Sequence, residues 1–190
     1  MVSVLSEGTS KCAQKAMRDL KWRQRQTGKT EYELEINADH TLVLQQNLGS
    51  ENDGTGTGGT VWPAAHMLAR YLAKRRFPSG WTCLDLGTGT GAAGLAAAAL
   101  GASTVALTDL SHALEMARCN VERNDSNAEV CALDWSNPRD SKAFELVQQY
   151  DVVLAAECIL PKLYPLEPFV GCLDSVIGPV SYTHLTLPTN

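Results

Sequence analysis

The chain lacks the cysteine and histidine spacing of a metal site or a disulfide framework. Its six cysteines and four histidines are scattered along 190 residues, and no two cysteines form a Cys-x-x-Cys pair. A zinc site needs clustered ligands, and a small secreted domain needs a dense set of paired cysteines. The scatter therefore predicts reduced, mostly buried thiols in a cytoplasmic protein with no metal centre.

Long apolar runs and an excess of positive charge are also missing. No run has the apolar length of a membrane span or of a secretory signal. The net charge of −5 gives no electrostatic reason to expect nucleic acid as a partner. Length and composition fit one soluble domain, which we expect to be a monomer.

Basic residues are concentrated near the N-terminus. Seven of the 16 Lys and Arg residues lie between Lys11 and Lys29, in a polar stretch with a weak helical pattern around residues 13–22. We interpret residues 1–30 as a loosely attached polar, basic arm, because such a charge run is most often a solvated face; the alternative is an arm for partner binding or targeting.

The most informative stretch is CLDLGTGTGAAG at residues 83–94. An apolar run ending in an acid, then alternate glycines and an alanine-rich run, predicts a strand, a tight turn and a helix N-terminus. Glycine permits backbone angles that are closed to other residues and lets a ligand approach the turn. The helix directs free N–H groups at that ligand, so a nucleotide-type site is expected.

Two kinds of nucleotide fit these glycines. Residues 89–94 match the GxGxxG dinucleotide pattern, with Asp109 near the distance expected for an acid that binds ribose. Residues 84–91 resemble motif I of the class I S-adenosylmethionine methyltransferases. Asp85 favours the second interpretation, because a carboxylate repels a pyrophosphate but suits the cationic groups of S-adenosylmethionine.

The rest of the pattern predicts an α/β fold with a parallel sheet covered on both faces. Strands are expected at 82–86, 104–108, 129–133 and 150–155, and helices at 61–76, 92–100, 112–123, 141–149 and 166–176. A β-hairpin is expected at 32–36 and 42–46, followed by a mobile glycine-rich surface loop at 49–60. Ser111 is a candidate helix cap.

Acidic residues lie at or just after the carboxyl ends of all four predicted strands of the sheet. They are Asp85, Asp109, Asp134 and Glu157, and Trp135 lies beside the third. Ligands of such sheets bind at the carboxyl ends of the strands, where the strand order reverses. We therefore expect these side chains to meet at one edge.

Five segments together resemble a known family. Residues 61–65 (VWPAA), 84–91, 108–109, 133–135 (LDW) and 151–157 (DVVLAAE) are similar to the lysine-methyltransferase branch of the seven-strand methyltransferase-like proteins. The resemblance covers residues 32–176. It implies a Rossmann-like methyltransferase fold, the cofactor S-adenosyl-L-methionine and a protein substrate bearing a lysine, such as a chaperone, an ATPase or a translation factor.

The resemblance also implies roles for residues around the glycine turn. Trp62 matches a family tryptophan that lines the cofactor pocket, although a tryptophan at a helix start can instead be a core residue. Gly87, Thr88 and Gly89 match the loop around the methionine part of the cofactor. Asp85, which precedes them, belongs to the same predicted cofactor site.

Further roles fall on the later strand ends. Asp109 matches the acid that accepts hydrogen bonds from both ribose hydroxyls. Trp135 matches the aromatic residue beside adenine, although a single tryptophan is more often a core residue. Ala156 matches the small residue whose backbone flanks the cofactor.

One motif departs from the family. The usual Asp-x-x-Tyr reads ECIL here, at residues 157–160, so the acid is kept and the tyrosine is replaced by Leu160. Tyr164, about one helical turn later, is a candidate substitute. The Asn-Pro-Pro-Tyr motif of adenine and glutamine methyltransferases is absent from the sequence, which argues against those substrates.

Methyl transfer from a sulfonium to an amine needs alignment and exclusion of water more than a catalytic triad. Lysine must be neutral to attack, and its free pKa is about 10.4. We expect Glu157 to orient the amine and help accept its proton; the alternative is a carboxylate that only fixes the loop or cofactor. A small-molecule methyltransferase and a non-catalytic methyltransferase-like scaffold remain alternatives, and a nicotinamide-dependent reductase is less favoured.

The C-terminal residues do not continue the family pattern. Residues 31–180 are expected to form a partial methyltransferase domain whose sheet is truncated after its fourth strand. The last ten residues, SYTHLTLPTN at 181–190, resemble a non-native cloning tail.

Overall fold

A computed structural model describes residues 3–4, 28–49, 56–158 and 166–186, with side chains described over 28–49, 57–158 and 166–177. The weak helical pattern at 13–22 and the predictions for Leu160 and Tyr164 lie outside the described residues. The α/β architecture predicted from the sequence is confirmed, with a parallel sheet between two layers of helices.

The central sheet has the strand order β1-β8-β7-β4-β5-β6, and all its described pairings are parallel. A separate antiparallel hairpin pairs β2 with β3. The strands are β1 (Ser3–Val4), β2 (Glu31–Glu35), β3 (Thr41–Gln45), β4 (Thr82–Leu86), β5 (Thr104–Asp109), β6 (Glu129–Ala132), β7 (Tyr150–Ala156) and β8 (Ile177–Thr186).

The strand order reverses beside β4. The chain runs outward through β5 and β6 and then returns to the other side of β4 as β7. Register places Leu86 beside both Thr108 and Ala155, so the strands end at one edge. A topological switch point of this kind opens a crevice at the carboxyl ends of β4 and β7.

The two faces of the sheet carry separate apolar cores. On one face, α1 and α2 pack with the hairpin and with Ala117 of α3. On the other, α4 and α5 pack on β4 and β7, with Tyr150 and Phe169 almost fully buried. The helices are α1 (Pro63–Lys74), α2 (Ala92–Ala99), α3 (Glu115–Arg123), α4 (Ala143–Leu146) and α5 (Leu166–Val176).

Local sequence explains most of these elements. Pro63 occupies the first turn of α1, where no intrahelical N–H bond is lost. The residues of α2 are apolar on all sides because the helix is buried against the sheet. In β2, Tyr32 and Leu34 are buried and alternate with exposed glutamates, as expected for a strand with one solvated face.

Two local predictions are wrong. The helix expected over 141–149 is only the single turn Ala143–Leu146, preceded by a 3-10 turn at Pro138–Asp140, because Val147 returns to extended angles. Ser111 does not cap a helix: it lies in the 3-10 turn Ser111–Ala113, and α3 begins at Glu115 with no side-chain cap.

The sheet also continues past the fourth predicted strand. The backbone of β8 pairs with β7 from Tyr150 to Ala156, and β1 pairs with β8 at its outer edge. The strand therefore crosses residue 180, where we expected the domain to end, and the sheet has one strand after the fourth predicted one. The foreign origin of residues 181–190 and the boundary at residue 30 stay predictions.

Candidate functional site

The glycine turn follows β4 at the switch point. Gly87, Gly89 and Gly91 have φ angles of 64°, 52° and 86°, in the left-handed region that favours glycine. The Thr88 N–H donates to the Thr108 carbonyl at 2.9 Å, which joins the turn to β5. The sequence therefore folds here into a backbone turn that presents its amides to the end of the sheet.

Asp85 holds this turn from beneath. Its Oδ2 accepts hydrogen bonds from the Thr88 hydroxyl at 2.7 Å and from the Gly94 N–H at 2.9 Å. Burial raises its pKa to about 7, the two hydrogen bonds oppose that rise, and the nearby charge of Asp109 adds to it. In this structure the Asp85 carboxylate stabilises the turn and the start of α2, a role that the sequence did not indicate.

Asp109 ends β5 on the opposite side of the turn. Its Oδ2 accepts the Gly89 N–H at 3.0 Å and its Oδ1 accepts the Leu110 N–H at 2.8 Å. Burial raises the pKa of this carboxyl, while the two backbone bonds and His112 lower it. Each oxygen keeps a further lone pair, so the side chain is fixed yet able to accept hydroxyl donors.

Trp62 and Glu157 lie on another wall of the site. The Trp62 Nε1–H donates to the Thr57 carbonyl at 2.8 Å, which fixes an indole that is about one third exposed, at 36%. The Oε2 of Glu157 accepts the N–H of Ala64 at 3.0 Å, in the first turn of α1. Glu157 therefore satisfies a free helix N–H, as a capping carboxylate does.

Trp135 follows β6 and is held by an aromatic contact. Its ring meets Phe169 of α5 edge to face, with centroids 5.0 Å apart and planes at 71°. A Cβ placed on Gly87 would lie 3.7 Å from Trp135 Cζ2, so the indole lies beside the glycine turn. Such a fixed, half-buried indole offers a flat apolar surface.

These side chains line one cleft of about 230 Å³. The structure thus brings all of the predicted site residues together, and Asp134 as well. The nine are Trp62, Asp85, Gly87, Thr88, Gly89, Asp109, Trp135, Ala156 and Glu157.

Sequence reasoning missed part of the cleft wall. Thr57 and Gly58, in the loop predicted to be mobile, form a 3-10 turn, and a Cβ on Gly89 would lie 3.1 Å from the Gly58 carbonyl oxygen. The signal available in the sequence was glycine at both positions, 58 and 89, because glycine lets two backbones approach closely. Cys158 was also missed; burial raises its pKa to about 12, so it is an inert wall residue.

A model of the lysine methyltransferase family matches residues 36–185. The chain belongs to this family. The match begins in the hairpin and ends in β8, so it includes every strand end that lines the cleft.

Curated relatives agree with the family model. EEF1A lysine methyltransferase 3 of Xenopus tropicalis is 37% identical over 143 residues, which cover 73% of this chain and 59% of the relative. Protein N-lysine methyltransferase METTL21A of Mus musculus is 34% identical over 128 residues, covering 64% of this chain and 55% of the relative. The chain therefore spans less than two thirds of the length of these relatives.

A solved structure supports the fold. The Thermus thermophilus 16S rRNA N2 G1207 methyltransferase RsmC, in complex with AdoMet and guanosine, aligns with a TM-score of 0.60 at 21% identity. The alignment covers 80% of this chain and 40% of that one. At this identity the similarity concerns the Rossmann-like sheet and its helices.

Among the described residues, no group of three or more His, Cys, Asp or Glu side chains is arranged to hold a metal ion. None of the described helices is long and apolar enough to cross a membrane.

Proposed function

We propose that this chain carries the cofactor site of an S-adenosylmethionine-dependent protein-lysine N-methyltransferase. The observation that supports this most directly is the convergence of the nine predicted site residues, from five separate segments, on one cleft at the switch point. Membership of the lysine methyltransferase family gives the reaction class.

The donor set of the cleft fits S-adenosylmethionine. Asp109 can accept the two ribose hydroxyls with its remaining lone pairs, and Trp135 offers a flat face to adenine. The glycine turn and Trp62 would enclose the methionine part, and Asp85 supplies an acidic group for a cationic ligand. When bound, this cofactor supplies an electrophilic methyl group on a sulfonium.

The remaining work of the site is to align a neutral amine and exclude water. Lysine is protonated at neutral pH, so a group in the cleft must take or share its proton. We propose that Glu157 orients the amine, with its Oε1 available while Oε2 holds the N–H of Ala64. The acid that begins the altered Asp-x-x-Tyr motif would then serve both the fold and the substrate.

We propose a protein as the substrate. The names of the relatives make elongation factor 1A the first candidate to test, and a chaperone or an ATPase follows from the family resemblance. We further propose a cytoplasmic monomer. Five described cysteines are free, including the buried Cys83 and Cys131, which fits a reducing compartment.

The experiment is transfer of tritium from labelled S-adenosylmethionine. The full chain would be mixed with elongation factor 1A, with a cell lysate and with the low-mass fraction of that lysate. Label on lysines of a protein supports the proposal. Label confined to the low-mass fraction would indicate a small-molecule methyltransferase, and cofactor binding without transfer would indicate a scaffold.

A matched pair of variants ties the result to the cleft. Asp109→Asn removes the charge from the predicted ribose acid, whereas Asp174→Asn makes the same change on the exposed face of α5, away from the cleft. We expect weaker binding of S-adenosylhomocysteine in calorimetry for the first variant only. Binding of a nicotinamide dinucleotide, with S-adenosylhomocysteine ignored, would overturn the proposed cofactor.

A further inference from the structure

Two asparagine side chains, Asn120 of α3 and Asn124 directly after it, bond one edge of the hairpin to the domain. The Asn124 Oδ1 accepts the N–H of Val43 at 2.9 Å, and its Nδ2 donates to the Val43 carbonyl at 3.0 Å. Asn120 repeats this pair with Gln45, at 2.6 Å and 3.1 Å. The two amides therefore act as a neighbouring strand for the free edge of β3.

The spacing of the two asparagines suits this task. Residues four apart on an α-helix are separated by about 6 Å along its axis, and alternate residues of a strand by about 6.5 Å. Alternate strand residues direct their N–H and carbonyl groups to the same edge, and such groups need partners when they are buried. An ion pair between Arg123 and Glu31 adds a contact at the surface.

Asn120 makes one more bond than hairpin attachment requires. Its second Nδ2 hydrogen is donated to the Thr90 carbonyl at 2.9 Å, and the side chain is fully buried. Thr90 belongs to the glycine turn and lines the cleft. Asn124 donates the corresponding hydrogen to the Asn120 carbonyl at 2.8 Å, at the C-terminal end of α3.

We propose that Asn120 is a positioning residue for the cofactor. Its amide fixes the Thr90 end of the glycine turn while it holds Gln45 of β3, so ligand binding and the bonds to Gln45 are coupled through this one side chain. Among the described residues, no hairpin residue from 31 to 46 lines the cleft. Gln46 bonds the cleft wall through the Val61 N–H, at 2.8 Å, whereas Asn120 bonds the glycine turn itself. This proposal rests on the proposed cofactor site.

The test compares two alanine variants of the full chain. Asn120→Ala and Asn124→Ala each remove the hydrogen bonds to one residue of β3, so both should lower the urea midpoint. Only Asn120→Ala also frees the Thr90 carbonyl. We expect its dissociation constant for S-adenosylhomocysteine, measured by calorimetry, to rise about tenfold. The constant for Asn124→Ala should stay within about twofold of the parent chain.

Equal affinities for Asn120→Ala and the parent, or equal losses in both variants, would overturn the positioning role of Asn120. Hydrogen exchange on the parent chain covers the case in which Asn120→Ala does not fold. S-adenosylhomocysteine should slow exchange of the Gln45 N–H, which donates to Asn120, and leave the Asp39 N–H in the hairpin turn unchanged. No slowing at Gln45 refutes the coupling alone, whereas failure of the parent to bind the ligand refutes the proposed function.

Discussion

The carboxylate of Glu157 is bonded to the N–H of Ala64, at 3.0 Å, and this bond joins two walls of the cleft. Glu157 follows β7, whereas Ala64 lies in the first turn of α1, directly after Trp62 and Pro63. Glu157 also has a φ of 53°, which residues other than glycine rarely adopt. Strained angles of this kind persist where the surrounding structure fixes them, which is common at functional sites.

Glu157→Gln separates the two roles of this side chain. Glutamine keeps an oxygen that can accept the Ala64 N–H, but it cannot take a proton from an amine. We expect the affinity for S-adenosylhomocysteine to stay within about twofold and methyl transfer to slow by about a hundredfold, which is typical for loss of a proton acceptor. Calorimetry and tritium transfer would measure the two quantities.

Glu157→Ala is the control for the structural role. It removes both the charge and the bond to Ala64, so it should lower the free energy of unfolding by about 1 kcal/mol, as the loss of a helix cap does. If the glutamine variant transfers methyl groups as fast as the parent, Glu157 has only the capping role.

Asp85 should make the stability of the protein depend on pH. Burial raises its pKa to about 7 from 3.8, so the folded chain holds this proton more tightly than the unfolded chain. Its contribution to stability is full below about pH 4 and is lost as the pH rises through 7. Asp85→Asn keeps an acceptor for Thr88 and Gly94 but does not titrate.

We therefore expect the free energy of unfolding of the parent, relative to Asp85→Asn, to fall between pH 4 and 7 and to level off above that. Urea unfolding at several pH values measures the difference. Parallel curves for the two proteins would show that Asp85 does not titrate in this range.

His66 should make the stability of the protein depend on pH in the direction opposite to that of Asp85. Its Nδ1 lies 2.8 Å from the Tyr32 hydroxyl, and burial lowers its pKa to about 4 from 6.5, with a smaller contribution from Arg70. The folded chain binds this proton more weakly than the unfolded chain does. The contribution of His66 to the free energy of unfolding is therefore full above about pH 6.5 and is lost as the pH falls toward 4. The same direction is expected for a buried neutral histidine in general.

His66→Gln keeps a polar partner for Tyr32 and removes the titration. Relative to this variant, the parent should lose stability between pH 7 and 5, by at most about 1.4 kcal/mol for each pH unit. An unchanged difference between the two proteins across this range would contradict the prediction. Because Asp85 and His66 act in opposite directions, each effect has to be measured against its own variant.

Sequence patterns predicted the parts of this site that depend on local order. An apolar strand followed by alternate glycines predicts the turn at 87–91, and the acids Asp85 and Asp109 meet because parallel strands end at one edge. The bounds of β4 and α5 were predicted as the structure has them.

Contacts between distant segments could not be predicted in this way. The bond from Ala64 to Glu157 spans 93 residues, and those from Asn120 to Gln45 span 75. No local periodicity encodes such a pairing, so the capping role of Glu157 and the two bonds of Asn120 appear only in three dimensions. The helix predicted over 141–149 ends at Leu146 because Val147 adopts extended angles, which the local pattern did not indicate.

Gly94 and Gly171 form a matched pair for testing the packing beneath the turn. A Cβ on Gly94 of α2 would overlap Leu107 Cδ2 and lie 3.1 Å from Asp85, whereas one on Gly171 of α5 meets nothing within 4 Å. Gly94→Ala should therefore lower the free energy of unfolding by about 1–3 kcal/mol through overpacking. Gly171→Ala should raise it by about 0.5–1 kcal/mol, because alanine favours a helix interior. Urea unfolding measures the free energy of unfolding of both variants. A Gly94→Ala chain as stable as the parent would show that α2 does not pack tightly against β5. Asp85 would then hold the glycine turn without help from this close contact.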